Sequence, residues 1–207
     1  MRDEAYDRLR AAILNGMHQP GDWLREEEIS QQLGISRMPV RESLRRLENE
    51  GFLEHFPNRG SRVTELLSED MEDIYDARMF AESRMAKLAA KRITKEQLQR
   101  MRENLDASAQ AQGSELARLA GEFNDIIMEA CGSMALKLIG RTISDLAVRL
   151  RHKTHNNPER KDDTLREHTR IYEMLLRGDS ALAEAAVQSH IAAVKARALS
   201  ASANPED

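Results

Sequence analysis

Apolar residues recur along this chain at helical spacing, and the recurrence breaks at a few defined places. Tyr6, Leu9, Ile13 and Leu14 define a first amphipathic helix, closed by Asn15-Gly16. Pro20-Gly21 reads as a turn. Ile29 and Leu33 lie one helical turn apart, and Gly34 stands where a helix ends with positive φ. Ser36 suits an N-cap, and Pro39 falls in the first turn of the next helix, where its missing N–H costs nothing. Val40, Leu44 and Leu47 then share one face, and Gly51 ends that helix. Phe52-Leu-Glu-His-Phe56 has strand composition, Pro57-Asn-Arg-Gly60 is turn chemistry, and Ser61-Arg-Val63 begins a return strand.

After Val63 the pattern is helical throughout. Helices are expected over about 69–92, 94–109, a third ending at Cys131, 133–151, 162–177 and 179–199. Gln110-Ala-Gln-Gly113 and the polar stretch with Asn156-Asn-Pro158 interrupt the series. The expected fold is therefore mostly α: a winged helix-turn-helix with a small β-hairpin wing over 1–66, then an all-α six-helix bundle over 67–207. Residues 200–207 are expected to form a disordered tail.

Charge sharpens the first half of this picture. Arg37, Arg41 and Arg45 form a stripe off the apolar face of the second short helix. A glycine turn followed by an arginine-bearing helix is the arrangement that enters the DNA major groove. Arg37 and Arg41 sit in the N-terminal half of that helix, the part that faces base edges. The net charge of −4 points away from generic polyanion binding. The charges are sorted, however: residues 36–47 carry Arg37, Arg41, Arg45 and Arg46 against Glu42 alone. Glu26-Glu27-Glu28 should weaken non-specific affinity further.

A single cysteine, Cys131, excludes a disulfide framework and a cysteine-ligated structural zinc. No apolar run reaches membrane-spanning length and the N-terminus lacks a signal peptide's apolar core, so a cytoplasmic location with no membrane partner is expected. No P-loop, dinucleotide glycine fingerprint, His-Glu-x-x-His pair or nucleophile elbow is present, so no enzyme is expected and no catalytic residue is assigned.

The chemistry of the second half rests on polar residues that fall on apolar stripes. His168 is in line with Leu165, Ile171, Tyr172 and Leu175, and His190 with Ala183, Ala186, Val187 and Val194. His168 lies 10 residues before Gly178 and His190 12 after it. At ~1.5 Å per residue, an antiparallel pair turning at Gly178 brings the two imidazoles to one height. A lone inward histidine is usually a satisfied core residue; two at one level favour a shared site. Asn124 shares the third bundle helix with Phe123, Ile127, Met128 and Cys131. Arg78 shares a face with Ile74, Ala81 and Met85, and a buried guanidinium demands an anion. That anion is either Glu82, one turn away, or a ligand carboxylate held bidentately. His152 and His155 read as solvated surface, His18 as loop, His55 as a wing residue near phosphate, and Cys131 as core. Two rival readings remain: a helical-bundle metalloenzyme built on the histidine pair, and a constitutive architectural DNA binder.

Residues 5–63 resemble the winged helix-turn-helix of the GntR family of bacterial regulators. The match runs through Leu9…Ile13…Gly16, Pro20-Gly21…Leu24, Ile29…Leu33-Gly-Ile-Ser-Arg-Met-Pro-Val-Arg-Glu-Ser-Leu44, Leu47…Glu50-Gly51 and Asn58-Arg-Gly60…Val63. The resemblance implies operator contacts from Arg25, Ser36, Arg37, Met38, Arg41, Arg45, Asn58, Arg59 and Gly60. An arginine that helps contact DNA in some relatives is missing near Glu27.

The remainder resembles the FCD effector domain of the FadR subfamily. Asp73…Arg78…Glu82, Phe123-Asn…Ile127…Ala130…Gly132, Glu167-His168, Gly178-Asp179 and His190 carry the likeness. It implies a homodimer on an inverted-repeat DNA operator, most often a repressor, with a small carboxylate effector bound by Arg78, Asn124, His168 and His190. In many such domains an Asp and three His hold a metal. The spacing puts His168 and His190 at the last two ligands, Asn124 at the first histidine and Ala120 at the aspartate. Two imidazoles and an amide would hold zinc or nickel weakly, so no cofactor is required, and a metal-dependent sensor is the alternative.

Overall fold

The computed structural model describes residues 2–57, 59–66, 68–151 and 160–203. Among these the chain forms nine helices and three short strands, in two compact units.

The first unit begins with α1 (Arg2–Leu14), whose Tyr6, Leu9 and Ile13 are buried as the apolar spacing requires. Strand β1 (Trp23–Leu24) follows, then α2 (Glu26–Leu33), α3 (Arg37–Asn49), β2 (Leu53–Phe56) and β3 (Gly60–Val63). Gly34 closes α2 in the left-handed region at φ 66. Ser36 has the extended backbone of an N-cap, but its side chain does not bond back to the helix. Val40, Leu44 and Leu47 point into a core shared with Leu24, Ile29 and Phe52. The Tyr6 hydroxyl donates to Glu50 at 2.5 Å, and the Arg46 guanidinium lies 3.5 Å above the Tyr6 ring. Burial and the neighbouring carboxylate push that phenol up to about 12. Arg149, near the end of the seventh helix, belongs with this unit and donates to the Gly51 and Thr64 carbonyls at 2.9 and 2.6 Å.

The hairpin expected from residues 52–63 is present, with one strand more. The sheet order is β1-β3-β2, all antiparallel, with Trp23 opposite Arg62 and Leu24 opposite Ser61. Two residues carry no period-2 pattern, so β1 had no sequence signal beyond the Pro20-Gly21 turn before it. Gly21 sits at φ 92 and its N–H donates to the Val63 carbonyl.

The second unit contains α4 (Ser68–Ala89) from its second residue on, α5 (Lys95–Gln110), α6 (Gly113–Ala130), α7 (Met134–Arg151) as far as Ala147, α8 (Arg160–Leu176) and α9 (Ser180–Ala203). These are the six helices read from the sequence, with ends shifted by a few residues. Thr94, expected as the first residue of a helix, is instead its N-cap, in a reciprocal capping box with Gln97. Helix α9 runs past Leu199 to Ala203, so the start of the expected disordered tail is helical; residues 204–207 lie outside the described residues. The polar stretch with His152, His155 and Asn156-Asn-Pro158 also lies outside them. Gly178, at φ 69, turns α8 into α9, and the Asp179 carboxylate caps α9 through the Ala181 and Leu182 amides. Lys195 and Lys87 on α9 and α4 tie these helices together through Asp76 and Glu184 at 2.7 and 2.6 Å. Gly140 of α7 packs against the Met85 side chain of α4 with no room for a Cβ.

Candidate functional site

Two sets of side chains carry chemistry, one in each unit. The first lies where the opening turns of α2 and α3 meet the wing. Arg25, Arg37, Arg41, Arg45 and Arg59 are all exposed there, and Met38 is 67% exposed in the first turn of α3. One cleft gathers Arg25, Arg37, Arg59 and Gly60 with Trp23; an adjacent one gathers Arg41, Arg45, His55 and Ser61. The arginine stripe is thus real, and Gly60 lies beside it at φ 102. Asn58 lies outside the described residues. His55 lies 3.3 Å from the Glu48 carboxylate.

Most of these arginines are not bare cations. Arg41 makes a bidentate pair with Glu26, with both distances 2.8 Å. Arg37 meets Glu27 at 2.7 Å, and Arg25 meets Glu28 at 3.2 Å. The acidic first turn of α2 was expected only to weaken DNA affinity in general; it pairs residue by residue with the arginines of the motif. Hydrogen bonds from Arg41 hold the Glu26 carboxyl below its usual range. Among the described residues Arg45 and Arg59 have no ion pair.

The second set lies in the helical unit. The His168 ring stacks flat on Phe123, centroids 4.3 Å apart and planes 7° from parallel. The His190 ring meets His168 edge-on at 4.9 Å, so the structure brings the two histidines to one level. Both are buried. His190 Nδ1 lies 2.7 Å from Glu167 Oε2, and Arg197 donates to both oxygens of the same carboxylate at 3.0 and 3.1 Å. Burial would raise the Glu167 carboxyl, but hydrogen bonds from His190 and Arg197 outweigh it and bring it down to about 2.

Arg78 is buried and pairs with Glu82 through Nε at 2.7 Å and Nη2 at 3.3 Å. Burial opposes its charge; the Glu82 carboxylate more than offsets that and keeps the guanidinium ionised. Of the two anions expected for Arg78, the internal one is in place. The Arg78 guanidinium lies 5.6 Å from the centroid of the Tyr75 ring. Asn124 is half-buried, next in sequence to the Phe123 that covers His168. Ala120 is half-buried on the same helix.

Sequence reasoning gave Glu167, Arg197, Tyr75 and Phe123 no place in the site. Glu167 directly precedes His168, and Arg197 follows His190 by two helical turns on the same face; that spacing was the available signal.

The residues present do not fit a protein-held metal. Among the described residues no group of three or more His, Cys, Asp or Glu is placed to hold one. Of the four positions that the family likeness gives as ligands, Ala120 offers no donor and Asn124 only a neutral amide, which leaves His168 and His190 as two imidazoles.

A winged helix with an exposed arginine stripe, followed by a helical unit with a buried polar cluster, defines a DNA-binding regulator. Residues 1–63 match the bacterial regulatory proteins of the gntR family, and residues 73–193 match the FCD domain. The chain belongs to the GntR family, in the branch that carries an FCD domain. It is 27% identical to the uncharacterized HTH-type transcriptional regulator YdhC of Bacillus subtilis, over 89% of this chain and 85% of that one. It is 26% identical to the HTH-type transcriptional repressor RspR of Escherichia coli, over 92% and 86% of the two chains. The fold is shared with E. coli McbR/YncC at a TM-score of 0.79 and 20% identity, covering 94% of this chain and 96% of that one. These relatives are transcriptional regulators, not enzymes, and the family sets aside the metalloenzyme reading. No helix among the described residues is long and apolar enough to cross a membrane.

Proposed function

We propose that this regulator is a homodimeric repressor that leaves an inverted-repeat operator when a small organic acid binds its helical unit. The reading is carried by the buried pair of His168 and His190, with the half-buried Glu167 and Arg197 bound to it, a polar cluster that a purely structural bundle does not need. Repression is supported by the similarity to RspR of Escherichia coli, a transcriptional repressor.

In this reading α3 enters the major groove. Arg37 and Arg41 address guanine edges, and Met38 offers an apolar contact for a thymine methyl. Arg25, Ser36, Arg45, Asn58, Arg59 and the Gly60 backbone position the unit on phosphates. In the helical unit the ligand's carboxylate lies toward Arg78, sharing a guanidinium that Glu82 already neutralises, and Asn124 serves a neighbouring hydroxyl or carbonyl. His168 and His190 close the site by direct contact with the anion. The ligand shifts DNA affinity only through different affinity for the two arrangements of the dimer.

The test is a thermal-shift screen of the full chain against organic acids, with and without Zn²⁺, followed by binding to a duplex selected from random sequence. A stabilising acid that also releases the duplex, without added metal, is the expected result. Stabilisation by Zn²⁺ alone that survives dialysis against EDTA, with release only in its presence, would replace this reading with a metal-dependent sensor.

A further inference from the structure

The pairing of the α2 carboxylates with the α3 arginines has a consequence for selectivity. We infer that Glu26 and Glu27 are specificity-determining residues, which hold Arg41 and Arg37 as charge-compensated reading heads that engage guanine edges and disregard isolated phosphates. This rests on the reading of α3 as the helix that enters the major groove.

The argument is one of donors and charge. An arginine has five N–H donors and no acceptor. Arg41 gives its Nε edge to Glu26: Nε to one oxygen and Nη2 to the other, both at 2.8 Å. The opposite edge, Nη1 with the second hydrogen of Nη2, remains for a bidentate contact. That edge is what guanine O6 and N7 accept. Guanine is neutral, so the carboxylate stays in place while the base is read. A phosphate is an anion. To gain full charge attraction from Arg41 it must displace Glu26 or approach against its repulsion. Arg37 meets Glu27 through a single contact, Nη2 to Oε1 at 2.7 Å, so its charge is compensated in the same way while its Nε and Nη1 donors stay outside that contact.

The position of the acids supports the arrangement. Glu26 and Glu27 are in the first turn of α2, where the helix N-terminus favours negative charge. Hydrogen bonds from Arg41 keep Glu26 ionised well below neutral pH. A guanidinium clamped by two bonds also has fewer rotamers to lose when it meets the base. Arg45 and Arg59, with no ion pair among the described residues, are left as the general phosphate contacts. Arg45 and Arg59 thus attract DNA, while Arg37 and Arg41 read it. That division suits a chain of net charge −4, whose tolerance for non-specific DNA is low.

The test uses the full chain, a duplex selected by it from a random-sequence library, and a shuffled duplex of the same composition. The readout is the ratio of the two affinities at one salt concentration. Glu26→Gln, nearly isosteric, should bind the shuffled duplex more tightly and lose about tenfold in the ratio, with one guanine position relaxed in a repeat selection. Glu28→Gln removes the same charge from a carboxylate that pairs with Arg25 outside α3, and should keep the ratio. In an Arg41→Ala background, Glu26→Gln should leave the ratio unchanged, because the head it positions is gone. An unchanged ratio in Glu26→Gln overturns the inference. So does an equal fall in Glu28→Gln or in the Arg41→Ala background, which would make Glu26 a general counter-charge. If Arg41→Ala selects the same sequence as the wild type, the reading of α3 itself fails, and the inference falls with it.

Discussion

At the scale of single residues, Glu167 holds two partners on one face of α9 at once, the His190 ring and the Arg197 guanidinium. Its carboxyl lies at about 2 in the folded chain, against about 4.3 for an unperturbed glutamate. A carboxyl depressed by folding contributes stability that is fully present above the unfolded value. That contribution is lost as pH falls from about 4 through about 2. The difference corresponds to about 3 kcal/mol. Glu167→Gln is therefore expected to lower the urea midpoint at pH 7 and to flatten the loss of stability between pH 4 and pH 2. Equal acid sensitivity in wild type and variant would count against it. Arg41→Ala is expected to cost about 1–3 kcal/mol on the selected duplex and to relax one base position. Repeated selection checks this; weaker binding with an unaltered preference would reduce Arg41 to a phosphate contact. Some of this was legible in the chain and some was not. His168 and His190 could be brought to one level by counting along two helices from Gly178. The pairing of Glu26 with Arg41, 15 residues away, depends on how α2 crosses α3, which no spacing within one helix reveals.

At the scale of elements, the recognition helix and wing are fixed by two glycines under different constraints. Gly34 has positive φ and open space around a notional Cβ, so Gly34→Ala meets backbone strain alone, about 1 kcal/mol. Gly60 also has positive φ, and a Cβ there would lie 3.0 Å from the Leu24 carbonyl oxygen. Gly60→Ala must therefore push β3 away from the chain at Leu24, which pairs with Ser61, and is expected to destabilise the unit more than Gly34→Ala. Thermal melts of the two variants decide the order; a smaller effect at Gly60 would mean that the close approach is not needed. The same contact shows why β1 escaped the sequence reading. Its register comes from the return strand of the wing rather than from any alternation of its own. The helices were legible because their apolar stripes are long and their ends carry Gly34, Gly51, Gly132 and Gly178.

At the scale of the whole molecule, one winged unit contacts too little DNA for useful selectivity, and in the proposed homodimer a second copy supplies the other half-site. On the family likeness, α4 and α7 are the candidate helices for the dimer face. Tyr75 is buried within its own unit, whereas Phe80, Leu138 and Ile139 on those helices are 76%, 61% and 50% exposed. We propose that the dimer face lies on these three exposed residues. Leu138→Lys with Phe80→Lys is expected to give a monomer by sedimentation at micromolar concentration, with operator binding weakened by loss of the linked half-site. A variant that sediments as the wild type does would move the interface elsewhere.

The central claim is that ligand sensing and DNA reading are carried by different residues in different units. Fluorescence anisotropy of the selected duplex tests it most directly, with wild type and His168→Ala compared before and after addition of the acid that stabilises the wild type most. The account predicts equal affinity of the two proteins for DNA without the acid, release of the wild type on its addition, and retention of the duplex by His168→Ala. Release of both proteins at the same acid concentration would contradict it.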